Sequence, residues 1–109
     1  MEIECKDKPE GVHCRVKVTG EFGPTVHDIV FTSKQFFLMA ASDFGRESLS
    51  PDANVYKIGT NDPNLLGEAL WEPSQQNLLV RIGDGPLRPY NGASFRECVL
   101  KAFKDGLFS

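Results

Sequence analysis

The feature of this sequence that most constrains its fold is a change in hydrophobic period along the chain. Apolar and polar residues alternate strictly over residues 12–18, which is the period-2 pattern of a half-buried strand. Residues 36–44 instead carry phenylalanine and alanine at helical spacing, so that one side of a helix would be apolar. A chain of 109 residues that contains both periods is predicted to fold as a mixed α+β domain, spanning residues 1–109.

Two helices are predicted, near residues 33–44 and 94–105. Each segment opens with Ser or Thr followed three residues later by Glu or Gln, the spacing of a capping box, and each is followed by a glycine suited to a helix end. The residues concerned are Thr32, Gln35 and Gly45 for the first helix, and Ser94, Glu97 and Gly106 for the second.

The remaining apolar segments predict about six short strands, near residues 3–5, 12–18, 26–31, 55–58, 66–71 and 77–82. Because short strands separated by turns favour antiparallel pairing, we expect an antiparallel sheet with both helices packed on one face. Each half of the chain also reads as strands followed by a helix. Two β-rich units that each end in a helix are therefore an alternative arrangement.

Charge and hydropathy narrow the class of partner. The chain has 12 basic and 15 acidic residues, a net charge of −3, which weakens any interpretation based on broad attraction to nucleic acid or to an anionic membrane. No run of 18 apolar residues is present, and the first residues do not have the pattern of a signal peptide. These features predict a soluble, cytoplasmic protein.

Three cysteines, Cys5, Cys14 and Cys98, are an odd number in a chain without an export signal. Disulfide frameworks belong to oxidising compartments and use cysteines in pairs. We therefore expect reduced thiols that behave as small buried hydrophobic residues.

No metal or cofactor is predicted. Residues with metal-ligand softness gather only near Cys5, His13, Cys14 and His27, but neighbours on a strand point to opposite faces, so these side chains should not converge. No catalytic residue is assigned. The alternative function, a small enzyme with a Cys/His or carboxylate site, would require two of the residues His13, Cys14, His27 and Cys98 to meet in an open cleft.

The residues most typical of binding anchors are Trp71, Arg81, Arg88 and Tyr90, because Trp, Tyr and Arg dominate interface hot spots. Two of them, Arg88 and Tyr90, fall in a predicted loop over residues 83–92 that also contains two prolines. Long loops often carry function, and proline lowers the cost of ordering them. We expect this loop, with Arg81 and Trp71 nearby, to contact another macromolecule.

The sequence therefore predicts a small interaction or inhibitor protein with a protein partner. In general character, small acidic α+β chains without a catalytic constellation resemble bacterial immunity proteins and phage inhibitors of host defence. This resemblance is one of class and transfers no residue, since a fold class does not determine function.

Overall fold

Antiparallel strands that follow one another in chain order form the sheet. This computed structural model describes residues 1–35 and 37–108, and in them seven strands pair as β1-β2-β3-β4-β5-β6-β7. The strands are β1 (Glu2–Lys8), β2 (Gly11–Gly20), β3 (Gly23–Ser33), β4 (Asn54–Thr60), β5 (Gly67–Glu72), β6 (Asn77–Ile82) and β7 (Arg88–Asn91). The helices are α1 (Phe37–Asp43) and α2 (Phe95–Lys104). The predicted α+β class with an antiparallel sheet is confirmed.

The main core lies between α2 and one side of the sheet, here called the inner face, which carries Val12, Cys14 and Val16 of β2. Phe95 of α2 sits among three aromatic rings of this face. Its ring centroid is 5.0 Å from Phe31, 5.8 Å from Tyr56 and 5.5 Å from Trp71. Such tilted and edge-to-face contacts add to the free energy of apolar burial, while the backbone of α2 lies nearest to β1, β6 and β7.

Local sequence specifies both ends of α2. At its start Ser94 Oγ accepts a hydrogen bond from the Glu97 N–H at 3.2 Å, as the predicted capping box requires. At its end Gly106 has a φ of +81°, and the Leu107 N–H donates to the Ala102 carbonyl at 3.2 Å. This is the Schellman pattern, which satisfies carbonyls left free at a helix end.

The first helix begins later than predicted. Strand β3 continues to Ser33, so Thr32 lies in the sheet opposite Gly11 on one side and Lys57 on the other. Pairing on both sides holds Thr32 in extended backbone, and it cannot cap a helix. The predicted capping box of Thr32 and Gln35 is therefore wrong, and Phe36 lies outside the described residues.

The segment that contains α1 packs on the opposite side of the sheet, here called the outer face. Phe44, just after α1, forms a second buried cluster with Val55 and Leu70, whose side chains alternate away from the inner face. The expectation of helices on one face thus describes α2, whereas the end of α1 contacts the other face. Because β3 pairs directly with β4, the two halves of the chain share one sheet rather than forming separate β-rich units.

A seventh strand occupies part of the predicted 83–92 loop. Residues 88–91 pair with Asn77 to Val80 of β6, and a turn at Gly83, whose φ is +55°, reverses the chain. Proline is tolerated on an edge strand because its missing N–H can face solvent, which is why Pro89 suits both a loop and this strand. The ten-residue loop prediction was wrong at residues 88–91.

Cys5 and Cys14 form a disulfide between β1 and β2, and Cys98 is a free, buried thiol. A two-residue turn pairs Lys8 with Gly11, and counting back from it places Cys5 directly opposite Cys14. The prediction of reduced thiols is confirmed at Cys98 and wrong at the other two. This disulfide does not agree with the prediction of a cytoplasmic protein, because disulfides persist mainly in oxidising compartments.

Candidate interaction surfaces

The structure distributes the four predicted anchors over three places. Trp71 lies on the inner face, is only 9% exposed, and packs edge-on against Phe95. Its aromatic ring belongs to the core under α2. Trp71 therefore makes a packing contact within the fold and presents little exposed surface to a partner.

Arg88 and Tyr90 come together on the inner face of β7, beside the residue that ends α2. The Tyr90 hydroxyl donates a hydrogen bond to Asp105 Oδ2 at 2.8 Å, and Arg88 Nη1 lies 3.4 Å from the same oxygen. Burial and the hydrogen bond to the Asp105 carboxylate raise the pKa of Tyr90 to about 12. The group therefore joins β7 to α2, with Tyr90 half-buried and Arg88 more open to solvent.

Arg81 faces the other way. Its side chain lies on the outer face, where Nη1 donates to the Asp43 carbonyl at 3.1 Å and Nη2 is 3.6 Å from Glu68 Oε2. Lys34 Nζ approaches the same Glu68 oxygen at 3.0 Å. Arg81 thus fastens the end of α1 to β6, and the thickness of the sheet separates it from Arg88 and Tyr90.

The two histidines lie on opposite faces of the sheet. His13 is on the outer face, with Nε2 3.1 Å from Glu10 Oε1. His27 is on the inner face, where its ring packs 5.1 Å from that of Phe103. The β2–β3 register explains the opposite directions, because His27 lies opposite Val16, a residue of the inner face, whereas His13 alternates to the outer face.

Cys14 and Cys98 are also unavailable as a catalytic thiol. Cys14 is committed to the disulfide, and Cys98 lies on the buried side of α2, where burial raises the pKa of the Cys98 thiol. A raised pKa favours the neutral thiol, which is a poor nucleophile. Over residues 1–35 and 37–108, no group of three His, Cys, Asp or Glu side chains could hold a metal ion.

A shallow depression of about 350 Å³ lies on the outer face of β1, β2 and β3. Charged side chains of both signs surround it, including the pair in which Arg15 Nε donates to Asp28 Oδ1 at 2.9 Å. The charged residues are Glu4, Lys6, Lys8, Arg15 and Asp28, together with His13. The mixture of signs makes this a polar strand surface with no preference for one charge.

The most distinctive surface is the end of the β2–β3 hairpin, here called the arm (residues 18–26). Strand β1 reaches only as far as Lys17 of β2, and β4 pairs with β3 only from Ile29 onward. The arm is thus a two-stranded projection without a neighbouring strand on either side. Its tip is the two-residue turn between Gly20 and Gly23, and Phe22 in that turn is fully exposed, at 101%.

Phe22 is not among the predicted binding anchors, because glycine and proline around it indicate only a break between two strands. The signal was present in the residues themselves. A two-residue turn flanked by Gly20 and Gly23 holds its side chains away from both strands. An aromatic residue there has no neighbours to cover it, so its exposure could be deduced once the hairpin was recognised.

No protein-family model, curated protein or solved structure matches this chain. Among the described residues, no helix combines the length and apolar character needed to cross a membrane.

Proposed function

We propose that this chain is a small interaction protein that binds another protein, in the manner of an immunity protein or an inhibitor, and that the arm is its principal contact. The observation that supports the proposal is the complete exposure of Phe22 at the tip of the arm. Burying a phenylalanine side chain stabilises a complex by roughly 1.5–3 kcal/mol. Aromatic residues that enter a partner's pocket are typical interface hot spots.

The arm is suited to binding because it is ordered before the partner arrives. Its strands remain paired from Val18 and Thr25 to Gly20 and Gly23 at the turn. A contact that is already ordered loses little conformational entropy on association. The complementary partner is a protein with an apolar pocket for the Phe22 ring.

The negative charge of this chain favours a particular kind of residue around the partner's pocket. Glu21 stands beside Phe22 at the tip, and the whole chain has a net charge of −3. Electrostatic complementarity mainly increases the rate and specificity of association. The proposed partner therefore carries basic residues around the pocket that receives the arm.

Arg88 and Tyr90 form a second proposed contact, because they stand on edge strand β7 with the Arg88 side chain nearly half exposed. Arg88 supplies the more accessible charge, and Tyr90 supplies a half-buried ring whose hydroxyl is held by Asp105. This surface would add a smaller contact with the same partner beside that of the arm. The small-enzyme alternative is less favoured, since His13 and Cys14, which both line the depression, point to opposite faces of β2, and Cys14 is held in the disulfide while Cys98 is buried.

The test compares Phe22→Ala with wild type in binding to a partner recovered by crosslinking through a photoreactive residue placed at position 21. We expect Phe22→Ala to raise the Kd by about thirtyfold, the effect of losing a hot spot of about 2 kcal/mol. Because Phe22 is fully exposed, the melting temperature should not fall. Calorimetry or surface plasmon resonance measures the affinity.

Met39→Ala is the matched control, because Met39 is also a large exposed apolar residue, at 72%, but lies on α1 away from the arm. This variant should bind like wild type. If Phe22→Ala stays folded and binds the recovered partner with unchanged affinity, the arm is not the contact and the proposal fails.

A further inference from the structure

Strand β1 forms one free edge of the sheet. Among the described residues, no segment other than β2 makes a backbone hydrogen bond to residues 2–8. The opposite edge is different, because β7 has four residues, one of them Pro89 without an N–H. An edge strand of seven residues without proline is a template for pairing with another strand.

The register of the β1–β2 hairpin tells which backbone groups face outward. The two-residue turn makes Lys8 and Gly11 the first hydrogen-bonded pair, so Cys5 and Cys14, three residue pairs further from the turn, form a non-hydrogen-bonded pair. Their Cα atoms are 4.1 Å apart, close to the roughly 4.5 Å of such pairs. The N–H and C=O groups of Ile3, Cys5 and Asp7 therefore point away from β2, to the free edge.

The outer face of β1 carries two acidic side chains followed by two basic ones. Glu2 and Glu4 occupy the first half of the strand, and Lys6 and Lys8 the second. All four are exposed, and within the described part of the chain none has an ion-pair partner within 4 Å. The two carboxylates already face basic residues of β2, whereas Lys6 faces His13 and Lys8 faces Gly11.

Strands usually protect a free edge with charges that repel a second copy. In β1 the side-chain charge changes from negative to positive at the centre of the strand, and this arrangement attracts a second copy. When two β1 strands pair antiparallel about Cys5, Glu2 of each copy lies opposite Lys8 of the other. Glu4 of each copy lies opposite Lys6 of the other. Opposite charges directly across an antiparallel pair are stabilising.

The hydrogen-bonding pattern selects this register. Outward-facing residues must lie opposite outward-facing residues, so only shifts by two residues are allowed. A shift in one direction places Glu4 opposite Glu4 of the second copy, and a shift in the other places Lys6 opposite Lys6. Pairing about Cys5 places Ile3 opposite Asp7 and brings no like charges of the outer face together.

We propose that two copies of this chain associate through their β1 edges, antiparallel and centred on Cys5, into one continuous sheet with two-fold symmetry. A two-fold interface uses the same surface on both copies, and this strand is complementary to itself. The proposal goes beyond the proposed binding function and uses none of the arm residues.

The test measures self-association of the oxidised protein by sedimentation equilibrium over a concentration series. Wild type should dimerise. Glu4→Lys and Lys6→Glu should each raise the dimer Kd by at least about tenfold, because each substitution creates two like-charge pairs across the two-fold axis.

The double variant Glu4→Lys/Lys6→Glu restores opposite charges across the axis and should recover a Kd within about threefold of wild type. An equimolar mixture of the two single variants should form a heterodimer for the same reason. Glu21→Lys and Lys57→Glu are matched controls on exposed residues away from β1, and they should dimerise like wild type.

Amide hydrogen exchange gives an independent measurement of the register. The N–H groups of Ile3, Cys5 and Asp7 should become more protected as protein concentration rises, whereas those of Glu4 and Lys6, already bonded to β2, should not change. Wild type that stays monomeric throughout the series overturns the proposal. So does a dimer that is insensitive to the single reversals, or a double variant that fails to recover.

Discussion

At the scale of single residues, Glu72 is a buried carboxylate on the outer face. Its side chain is fully buried, Ser50 Oγ donates a hydrogen bond to it at 2.6 Å, and Arg46 donates another. Burial by itself raises the pKa of Glu72, but the hydrogen bonds from Ser50 and Arg46 and the Arg46 charge outweigh it, so the pKa is lowered overall. This cluster ties the α1–β4 connection to β5.

Acid should therefore destabilise the protein through Glu72. A carboxyl group whose pKa is lower in the folded state contributes stability above its unfolded pKa of about 4.3 and loses it as pH falls through the folded value. Glu72→Gln should cost about 1.5–3 kcal/mol of unfolding free energy at pH 7, because hydrogen bonds to a charged group are lost. This variant should also lose less unfolding free energy than wild type as the pH falls from about 5 to about 3, the range around the unfolded pKa of glutamate.

Urea unfolding followed by circular dichroism measures both effects. The control is Glu47→Gln, since Glu47 is exposed and its substitution should change neither quantity. Equal acid sensitivity of Glu72→Gln and wild type would show that another group governs the acid transition.

A second residue-scale prediction concerns Tyr90. Its pKa of about 12 lies above the ordinary value of 10, so the stability it contributes is complete below about pH 10 and is lost as pH rises through the folded value. In Asp105→Asn the hydroxyl no longer faces a carboxylate, and the pKa of Tyr90 should fall toward 10. A carbon-13 NMR titration of the Tyr90 ring measures this. An unchanged titration midpoint would show that Asp105 does not raise the pKa of Tyr90.

At the scale of elements, the β1–β2 hairpin combines a two-residue turn with a covalent link. The Cys5–Cys14 disulfide joins directly opposite residues nine positions apart. Ile3 and Cys5 of β1 pack against the main core from its margin. The disulfide therefore holds the edge strand in the register that buries these side chains.

Reduction of this disulfide should lower the unfolding free energy by about 2–3 kcal/mol, the chain-entropy value for a short loop. Guanidinium unfolding with and without a thiol reductant measures the difference. Cys5→Ala/Cys14→Ala is the control, because a chain without the link should not respond to reductant. If wild type shows no response either, the bond does not restrict the unfolded chain as assumed.

At the scale of the whole molecule, separate segments cover the two faces of one sheet. Helix α2 covers the inner face, and the connection through α1 covers part of the outer face. The molecule measures 46 by 28 by 25 Å along its principal axes, and the projecting arm agrees with this elongated shape. In the proposed dimer the two-fold axis through Cys5 would direct the two arms to opposite ends.

The sequence by itself determined the elements whose signals are local. Alternation over residues 12–18 identified β2, and Ser94, Glu97 and Gly106 marked both ends of α2, because capping and strand periodicity act between near neighbours. The disulfide was accessible in principle, since the turn before Gly11 sets the pairing of β1 with β2.

Only the tertiary structure decided which surface each residue joins. Residue types suitable for hot spots grouped Trp71, Arg81 and Tyr90, but strand register placed one in the core, one on the outer face and one beside Asp105. Likewise Phe22 is exposed because β1 and β4 stop short of the arm. Local periodicity sets the alternation within a strand, whereas the faces and neighbours depend on contacts between residues distant in the chain.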